Sequence, residues 1–332
     1  HGRNRQPDMS YIEAAAETVS GVVRPGHLVS LESTTYPGTT EDILVPAVER
    51  AGLTPEEDVF VSFSPERIDP GSTFTTGAIP KVVGGIGPVS ASVAATAYRR
   101  LVDEVHPVSS AAVAEMTKLL ENTYRAVNIG LVNEMAQLAD ELGIDIWEVI
   151  DAAATKPFGF QPFYPGPGVG GHCIPLDPHF LSWRAKEANF TTKFIDIAEQ
   201  VNGRMPNYTA DRVAEMLNAA AKPVFGSRIL GVGIAYKPNL GDDRDSAAVN
   251  VLLELARRGA VIEVLDPLVP DDRVRRHGYE PANGLEGYDA AVILTDHDAI
   301  DYGALVAAAP LVFDARNALR RRGIDAGHVT RL

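Results

Sequence analysis

A single cysteine, Cys173, stands in a chain of 332 residues. It has no internal disulfide partner, and with no Cys-x-x-Cys pair a thiolate-type structural zinc site is excluded. No apolar run approaches the ~20 residues of a membrane-spanning helix, and no signal-like segment opens the chain. Cations are scarce: 30 Lys+Arg stand against 44 Asp+Glu, a net charge of −14. That balance disfavours non-specific binding to nucleic acid or an anionic membrane, so any anionic ligand must be met by local cations or backbone N–H groups. No complete G-x-G-x-x-G fingerprint directly follows a predicted strand. What remains is an ordinary globular composition, 45% hydrophobic and 22% charged. It predicts a soluble, cytoplasmic protein of about two domains at ~150 residues each.

The first and last thirds read as α/β. His1–Pro7 is a polar loop. Ser10 and Glu13 have capping-box spacing at the head of a helix that stops near Gly21. Strands are expected at His27–Ser33, Asp58–Phe63 and Lys81–Gly85, with a helix over Glu41–Ala51, and the alternation predicts a parallel sheet. From Ser110 to Gly143 the only glycine or proline before the end is Gly130, and apolar residues recur at helical spacing. A helix follows over Asp145–Ala154, then a Pro/Gly/aromatic stretch from Lys156 to Pro178. Helices resume at His179 with a break near Gly203–Pro206. Strands at Arg228–Gly233, Val261–Asp266, Ala290–Thr295 and Leu311–Asp314, with a helix over Ser246–Arg258, predict a doubly wound sheet.

Four constellations could carry chemistry. In Tyr164–Asp177 (YPGPGVGGHCIPLD), four glycines in six positions bring backbone close to something, and Cys173 follows at once. Cys173 reads either as a nucleophile beside a glycine-lined ligand loop or as an inert, buried thiol. A zinc set of His172, Cys173 and His179 lacks a fourth ligand. Lys118 and Asn122 share a helix face and could hold an oxyanion, or could be plain surface groups. Thr34, Thr35 and Glu66 follow strands, where ligands of α/β sheets bind, although the same residue types make ordinary turns. Gly231-Val232-Gly233-Ile234-Ala235-Tyr236 opens like a dinucleotide fingerprint, but Tyr236 and Pro238 leave no helix start to receive a pyrophosphate. Lys237 and Arg244 could still contact phosphates or be surface cations.

Taken together, ESTTYPGTT (32–40), SPERIDPG (64–71), KLLENTYRAVNIGLVN (118–133), FYPGPGVGGHCIPLDP (163–178) and IAYKPNLGDDRDS (234–246) resemble the UDP-glucose/GDP-mannose dehydrogenase family over nearly the whole chain. SPERIDPG and KPFGFQPFYPGPG most resemble its UDP-N-acetylglucosamine branch. The glucose branch carries a second Glu where Pro70 stands. The resemblance implies a partial Rossmann-like NAD domain (1–107), a central long-helix dimerisation domain with the cysteine loop (108–221) and a C-terminal Rossmann-like UDP-binding domain (222–332). It implies NAD as cofactor and a homodimer. The reaction would be a four-electron oxidation of a UDP-N-acetylhexosamine at C6, through a thiohemiacetal and a thioester.

By the same resemblance Cys173 is the nucleophile, its thiolate favoured by a nearby cation. Lys118 and Asn122 stabilise the oxyanion, Asp177 orients water and Lys118, and Glu66 is a base near the cofactor. Thr34 and Arg244 meet the cofactor; Tyr164, Gly168, Gly170, Gly171 and Lys237 meet the UDP-sugar. The family's glycine fingerprint is expected in roughly 100 residues before residue 1, so residues 1–332 alone are expected not to hold the NAD pyrophosphate in the usual way. The rival readings are a catalytically silent nucleotide-sugar-binding and dimerisation fragment, a UDP-glucose or UDP-N-acetylmannosamine dehydrogenase, and a cysteine hydrolase built on Cys173 and His172, for which the sequence offers no orienting partner.

Overall fold

Short apolar strands packed under helices build both halves of the protein. The computed structural model describes residues 7–69, 71 and 75–332; the loop expected from sequence up to Gln6, and Pro70, lie outside these residues. The chain divides into two compact units, His1–Tyr124 with Leu176–Ile195, and Arg125–Pro175 with Asp196–Leu332.

The first unit opens with α1 (Ser10–Val22), β1 (Leu28–Leu31), α2 (Val45–Arg50), β2 (Phe60–Phe63), β3 (Lys81–Gly85), α3 (Pro88–Tyr98) and β4 (Val105–Val108). The expected capping box does not form. The Asp8 carboxylate takes the Ser10 N–H at 3.1 Å and its hydroxyl at 2.6 Å, so an acid two residues upstream supplies the acceptor. The helix expected over Glu41–Ala51 begins as a wide π turn, Thr40–Leu44, before α2. Pro46 sits in the first turn of α2 and has no N–H to continue a regular ladder.

The strands lie in the order β1-β2-β3-β4. β1–β2 and β3–β4 are parallel, but β2–β3 is antiparallel, which corrects the all-parallel expectation. A parallel step needs a crossover element. Among the described residues between Phe63 and Lys81 there is only the short 3-10 turn Thr76–Ala78. Ala16, Leu44, Ala47 and Val48 cover one face with Val59 and Val61, which continues through Phe63 and Val82 onto Ala111 and Ala114; Val83 packs with Ala94 and Tyr98 on the other.

Next come α4 (Ala111–Glu141), α5 (Ile146–Ala154), α6 (Cys173–Glu187) and α7 (Lys193–Ala219). α4 has 31 residues, close to the expected span. Asp145 caps α5, accepting from Trp147 and Glu148 N–H. Two expectations fail here. α6 starts at Cys173 rather than His179, because Pro175 falls in the first turn, where no N–H is needed, and Pro178 is carried inside as a buried residue. α7 runs unbroken through Gly203 and Pro206. Pro206 is buried and would lie 3.3 Å from a Cβ on Gly168, so packing within the second unit overrides the local preference.

The second unit continues with β5 (Arg228–Val232), α8 (Ala247–Arg257), β6 (Val261–Leu265), α9 (Asp271–Arg276), β7 (Glu280–Pro281), β8 (Ala290–Ile293), α10 (Tyr302–Ala308), β9 (Val312–Asp314), α11 (Ala318–Arg321) and β10 (Val329–Arg331). The strand order is β10-β9-β8-β5-β6-β7 and every pair is parallel, so the sheet is doubly wound with its switch point between β5 and β8. Alternate residues feed two cores: Ile229, Ala290 and Val292 with α7 and α8, and Leu230, Ala291 and Ile293 with α10 and α11. Among the described residues no helix is long and apolar enough to cross a membrane.

β5 ends in a turn that only glycine fits. Gly233 has φ +77°, and a Cβ there would lie 2.2 Å from the Thr295 carbonyl oxygen. Gly233→Ala is therefore expected to destabilise the protein by about 3 kcal/mol, from overpacking and a strained backbone together. A chemical-denaturation midpoint equal to that of the wild type would show that the turn relaxes freely.

Candidate active site

In the first unit the residues singled out from sequence gather at two places. The first is the edge where β1 and β2 end. Thr34 and Glu66 stand in the loops that follow these two parallel strands. The Thr34 loop is anchored to α4 by Glu115, fully buried, which accepts from Gly38 N–H (2.5 Å), Thr40 N–H (2.9 Å) and the Thr40 hydroxyl (2.7 Å). Burial pushes the Glu115 carboxyl above its ordinary range despite these donors. Glu66 takes the N–H groups of Arg67 and Ile68, each at 2.7 Å, and lies 3.4 Å from Lys81. Burial alone would raise its pKa, but the Ile68 N–H, the Lys81 charge and the Arg67 N–H outweigh that and hold it below the usual range.

The second place joins α4 to α6. Asn122 donates its Nδ2 to Asp177 Oδ2 at 2.5 Å, and both residues are buried. Lys118, one turn before Asn122, contributes a favourable charge. Burial dominates all the same and pushes Asp177 up to about 6. Asp177 lies one turn after Cys173 on α6. The sequence grouped Lys118 with Asn122 from helical spacing; Asp177 joins them here because α6 begins early enough to carry it.

In the second unit, the glycine loop is fixed from below. Asn133, fully buried, accepts from Gly166 N–H (3.1 Å) and donates to Asn202 (2.9 Å), which in turn donates to the Ala126 carbonyl (3.0 Å). Cβ atoms on Gly168, Gly170 and Gly171 would meet Ala247, Tyr236 and the Tyr236 ring at 2.9–3.0 Å, and Gly171 has φ +81°. The loop thus lies tightly against Tyr236 and the N-terminus of α8. Cys173 is exposed. His172 Nδ1 lies 3.2 Å from Asp245, so the histidine does have an acid neighbour that sequence inspection overlooked. Among the described residues no group of three or more His, Cys, Asp and Glu is arranged to hold a metal.

Lys237 and Arg244 lie in the loop between β5 and α8. No helix follows Gly233. Instead Ile234 and Ala235 N–H donate to Asp266 at 2.7 and 3.1 Å, and His297 Nδ1 accepts the Asn239 N–H at 3.0 Å. Arg244 is exposed and chelates Asp242, through Nε at 2.9 Å and Nη2 at 2.6 Å. Tyr164 stacks on Trp147 (centroids 5.9 Å apart) and donates its hydroxyl to Asp151 at 2.8 Å. Arg316, which sequence inspection missed, lies just after β9. Its Nε donates to the Leu294 carbonyl (2.7 Å), and its Nη1 would be 2.5 Å from a Cβ on Gly166. A lone arginine after a strand carries no local signal; only the sheet order brings it to the glycine loop.

Asp177 gives a pH-dependent stability. Its folded-state value of about 6 lies above the ordinary 3.8, so the folded protein binds more protons than the unfolded chain between these pH values. Stability is full below about pH 4 and is lost as pH rises through 6, by about 3 kcal/mol in total. Asp177→Asn keeps an acceptor for Asn122 and removes the ionisation. It is expected to exceed the wild type in stability at pH 8 and to match it near pH 4, by urea titration; a difference independent of pH would refute the assignment.

The UDP-glucose/GDP-mannose dehydrogenase family models match as NAD binding domain over residues 1–102, central domain over 112–204 and UDP binding domain over 230–321. The UDP-N-acetyl-D-glucosamine 6-dehydrogenase of Pseudomonas aeruginosa is 35% identical over 300 residues, 89% of this chain and 71% of that one. An NDP-N-acetyl-D-galactosaminuronic acid dehydrogenase of Ralstonia nicotianae is 35% identical over 307 residues, 89% of this chain and 70% of that one. The solved structure of a UDP-D-ManNAc dehydrogenase from Pyrococcus horikoshii superposes with a TM-score of 0.87 at 32% identity, over 99% of this chain and 78% of that one. Three differently named sugars at near-equal similarity leave the shared chemistry as the common ground: this chain belongs to the UDP-glucose/GDP-mannose dehydrogenase family of NAD-dependent nucleotide-sugar dehydrogenases.

Proposed function

We propose that the protein oxidises the C6 hydroxymethyl of a UDP-N-acetylhexosamine, UDP-N-acetylglucosamine above the alternatives, to the uronate through Cys173. The observation that carries this reading is the buried Asp177 carboxyl, bonded to Asn122 and charge-paired with Lys118, one helical turn after the only cysteine. The thiolate of Cys173 would attack the C6 aldehyde left by a first loss of hydride to the cofactor, forming a thiohemiacetal; loss of a second hydride to the cofactor would give a thioester, which water opens to the carboxylate with release of the thiol. Lys118 and Asn122 supply a positive potential and an N–H for the developing oxyanion, and Asp177 holds the Asn122 amide in one orientation. The division into residues 1–107, 108–221 and 222–332, for cofactor, catalysis with dimerisation, and UDP-sugar, belongs to the same reading and is supported by the extents of the family models.

The residues at the β1–β2 edge fit NAD. Two carboxylates, Glu32 and Glu66, share one ammonium, Lys81, which leaves that edge negative overall and suited to a positively charged ring. Thr34 and Glu66 would hold the nicotinamide end, with Glu66 as the base, and Arg244 would serve another part of the cofactor. When bound, NAD supplies the acceptor for hydride. For the UDP-sugar, Lys237, Tyr164 and the backbone of Gly168, Gly170 and Gly171 form the seat. Arg316 adds a guanidinium beside the loop, suited to a pyrophosphate. In the second unit Leu131, Met135, Leu138, Leu142 and Phe160 line an open apolar groove of about 300 Å³, which supports a homodimer formed through α4.

Two tests follow. The single thiol makes alkylation by iodoacetamide a direct readout of Cys173. Saturating UDP-N-acetylglucosamine is expected to slow it at least about tenfold, and to do so more than UDP-glucose; no protection would overturn the placement of the thiol at the sugar. With NAD and UDP-N-acetylglucosamine together, uronate is expected only from chains that keep Cys173, so uronate from Cys173→Ser would overturn the covalent route. For the dimer, Leu131→Asp combined with Leu138→Asp is expected to halve the mass seen by light scattering while leaving the circular dichroism unchanged. A wild-type chain that is monomeric at micromolar concentration would refute it.

A further inference from the structure

The reversed strand of the first sheet has a chemical consequence. β3 runs antiparallel to β2, so its first residue, Lys81, lies at the edge where β1 and β2 end. A third parallel strand would present its last residue there instead. The Lys81 side chain is only 11% exposed and lies 3.4 Å from both Glu32 and Glu66. Its ammonium also sits 5.4 Å over the ring of Tyr98 from α3. Tyr98 donates its hydroxyl to Glu32 at 2.5 Å and pairs with the Ser30 hydroxyl at 2.9 Å, so the Glu32 side of the bridge is braced from two elements. The other nearby cation is directed elsewhere: Arg67 clamps Glu121 at 2.6 Å and the Pro80 carbonyl at 2.8 Å. Among the described residues Lys81 is thus the cation paired with Glu66.

We propose that Lys81 is a positioning residue for Glu66: a buried ammonium, braced by Glu32 and Tyr98, that holds the Glu66 carboxylate ionised and in one place at the cofactor edge. The proposal rests on the reading of Glu66 as a cofactor-site base. Glu66 is about half exposed and its own backbone donors come from the two residues that follow it. Without Lys81 only that local turn would restrain it. The division of one ammonium between two carboxylates predicts a signature that a merely structural lysine would not give: removing either partner should change the titration of the other.

The test is a carboxyl-carbon NMR titration of glutamate-labelled protein, with Glu66 assigned by its loss in Glu66→Gln. Lys81→Met is expected to raise the Glu66 midpoint by about one pH unit or more, and Lys81→Arg to restore it. Glu32→Gln leaves the lysine in place and is expected to lower the Glu66 midpoint, because the ammonium is no longer shared; it gives an answer even if Lys81→Met fails to fold. A Glu66 midpoint unchanged in Lys81→Met, or in Glu32→Gln, overturns the proposal. The role of Glu66 itself is judged separately. If, in full-length protein that forms uronate, Glu66→Gln matches the unsubstituted rate, the reading of Glu66 fails while the coupling to Lys81 remains measured.

Discussion

The Asn122–Asp177 hydrogen bond is the constraint from which the candidate catalytic arrangement follows. It joins the middle of α4 to the first turns of α6 by an interaction that tolerates little displacement, since both groups are buried. A carboxyl in such a place is a poor choice for stability. Ionised at neutral pH, it opposes folding by about 3 kcal/mol, and Lys118 offsets only part of the burial. An apolar pair of the same shape would hold two helices more firmly. A cost of this kind, placed one turn from the only cysteine, is what a site selected for chemistry rather than for stability is expected to show.

The two sheets solve different problems with their carboxyl edges. In the first, the reversed β3 brings a cation to a place where parallel strands deliver Glu32 and Glu66. In the second, all strands are parallel, and Asp266, just after β6, stands where a ribose ligand would in a dinucleotide-binding sheet. The local bonding says otherwise. Asp266 accepts from Ile234, Ala235, Leu268 and Val269 N–H and meets His297, so its acceptor capacity is filled by the protein. Burial alone would raise its pKa, but the His297 bond and these donors hold the carboxylate below its ordinary range. The result is a brace that shapes the loop carrying Lys237, and it explains why no helix starts after Gly233.

Local signals were legible in sequence where one element contains the whole cause. The span of α4 follows from thirty residues of apolar spacing with one glycine, and α5 and α8 lie within the helices expected over Asp145–Ala154 and Ser246–Arg258. The Lys118–Asn122 pair is of the same kind. What was not legible depends on partners distant in the chain. Pro178 and Pro206 look like helix breakers until their burial is known. Glu115 looks like a helix-surface acid until the loop over residues 38–40 is seen to close on it. β4, β7 and β10 are too short or too mixed to show period-two alternation, and the reversal of β3 is a property of pairing, not of composition.

A net charge of −14 and an anionic nucleotide are reconciled by local pairing. Around the carboxyl edge of the six-stranded sheet the acids already have partners. Asp242 is held by Arg244, Asp243 by Arg273 and His277, Asp296 by Arg321 and Arg322, and Asp266 by backbone N–H groups. Pairing shortens the reach of each negative charge, and screening at physiological salt removes most of what remains beyond about 8 Å. Arg316 differs from the other arginines there. Burial holds it below the usual arginine range, and its Nε donates to a neutral carbonyl rather than to an acid. A guanidinium in that setting retains more of its attraction for an incoming phosphate than a surface lysine would, because less water competes for it. The overall charge governs what the protein repels at a distance; the pairing pattern at this edge governs what it can bind.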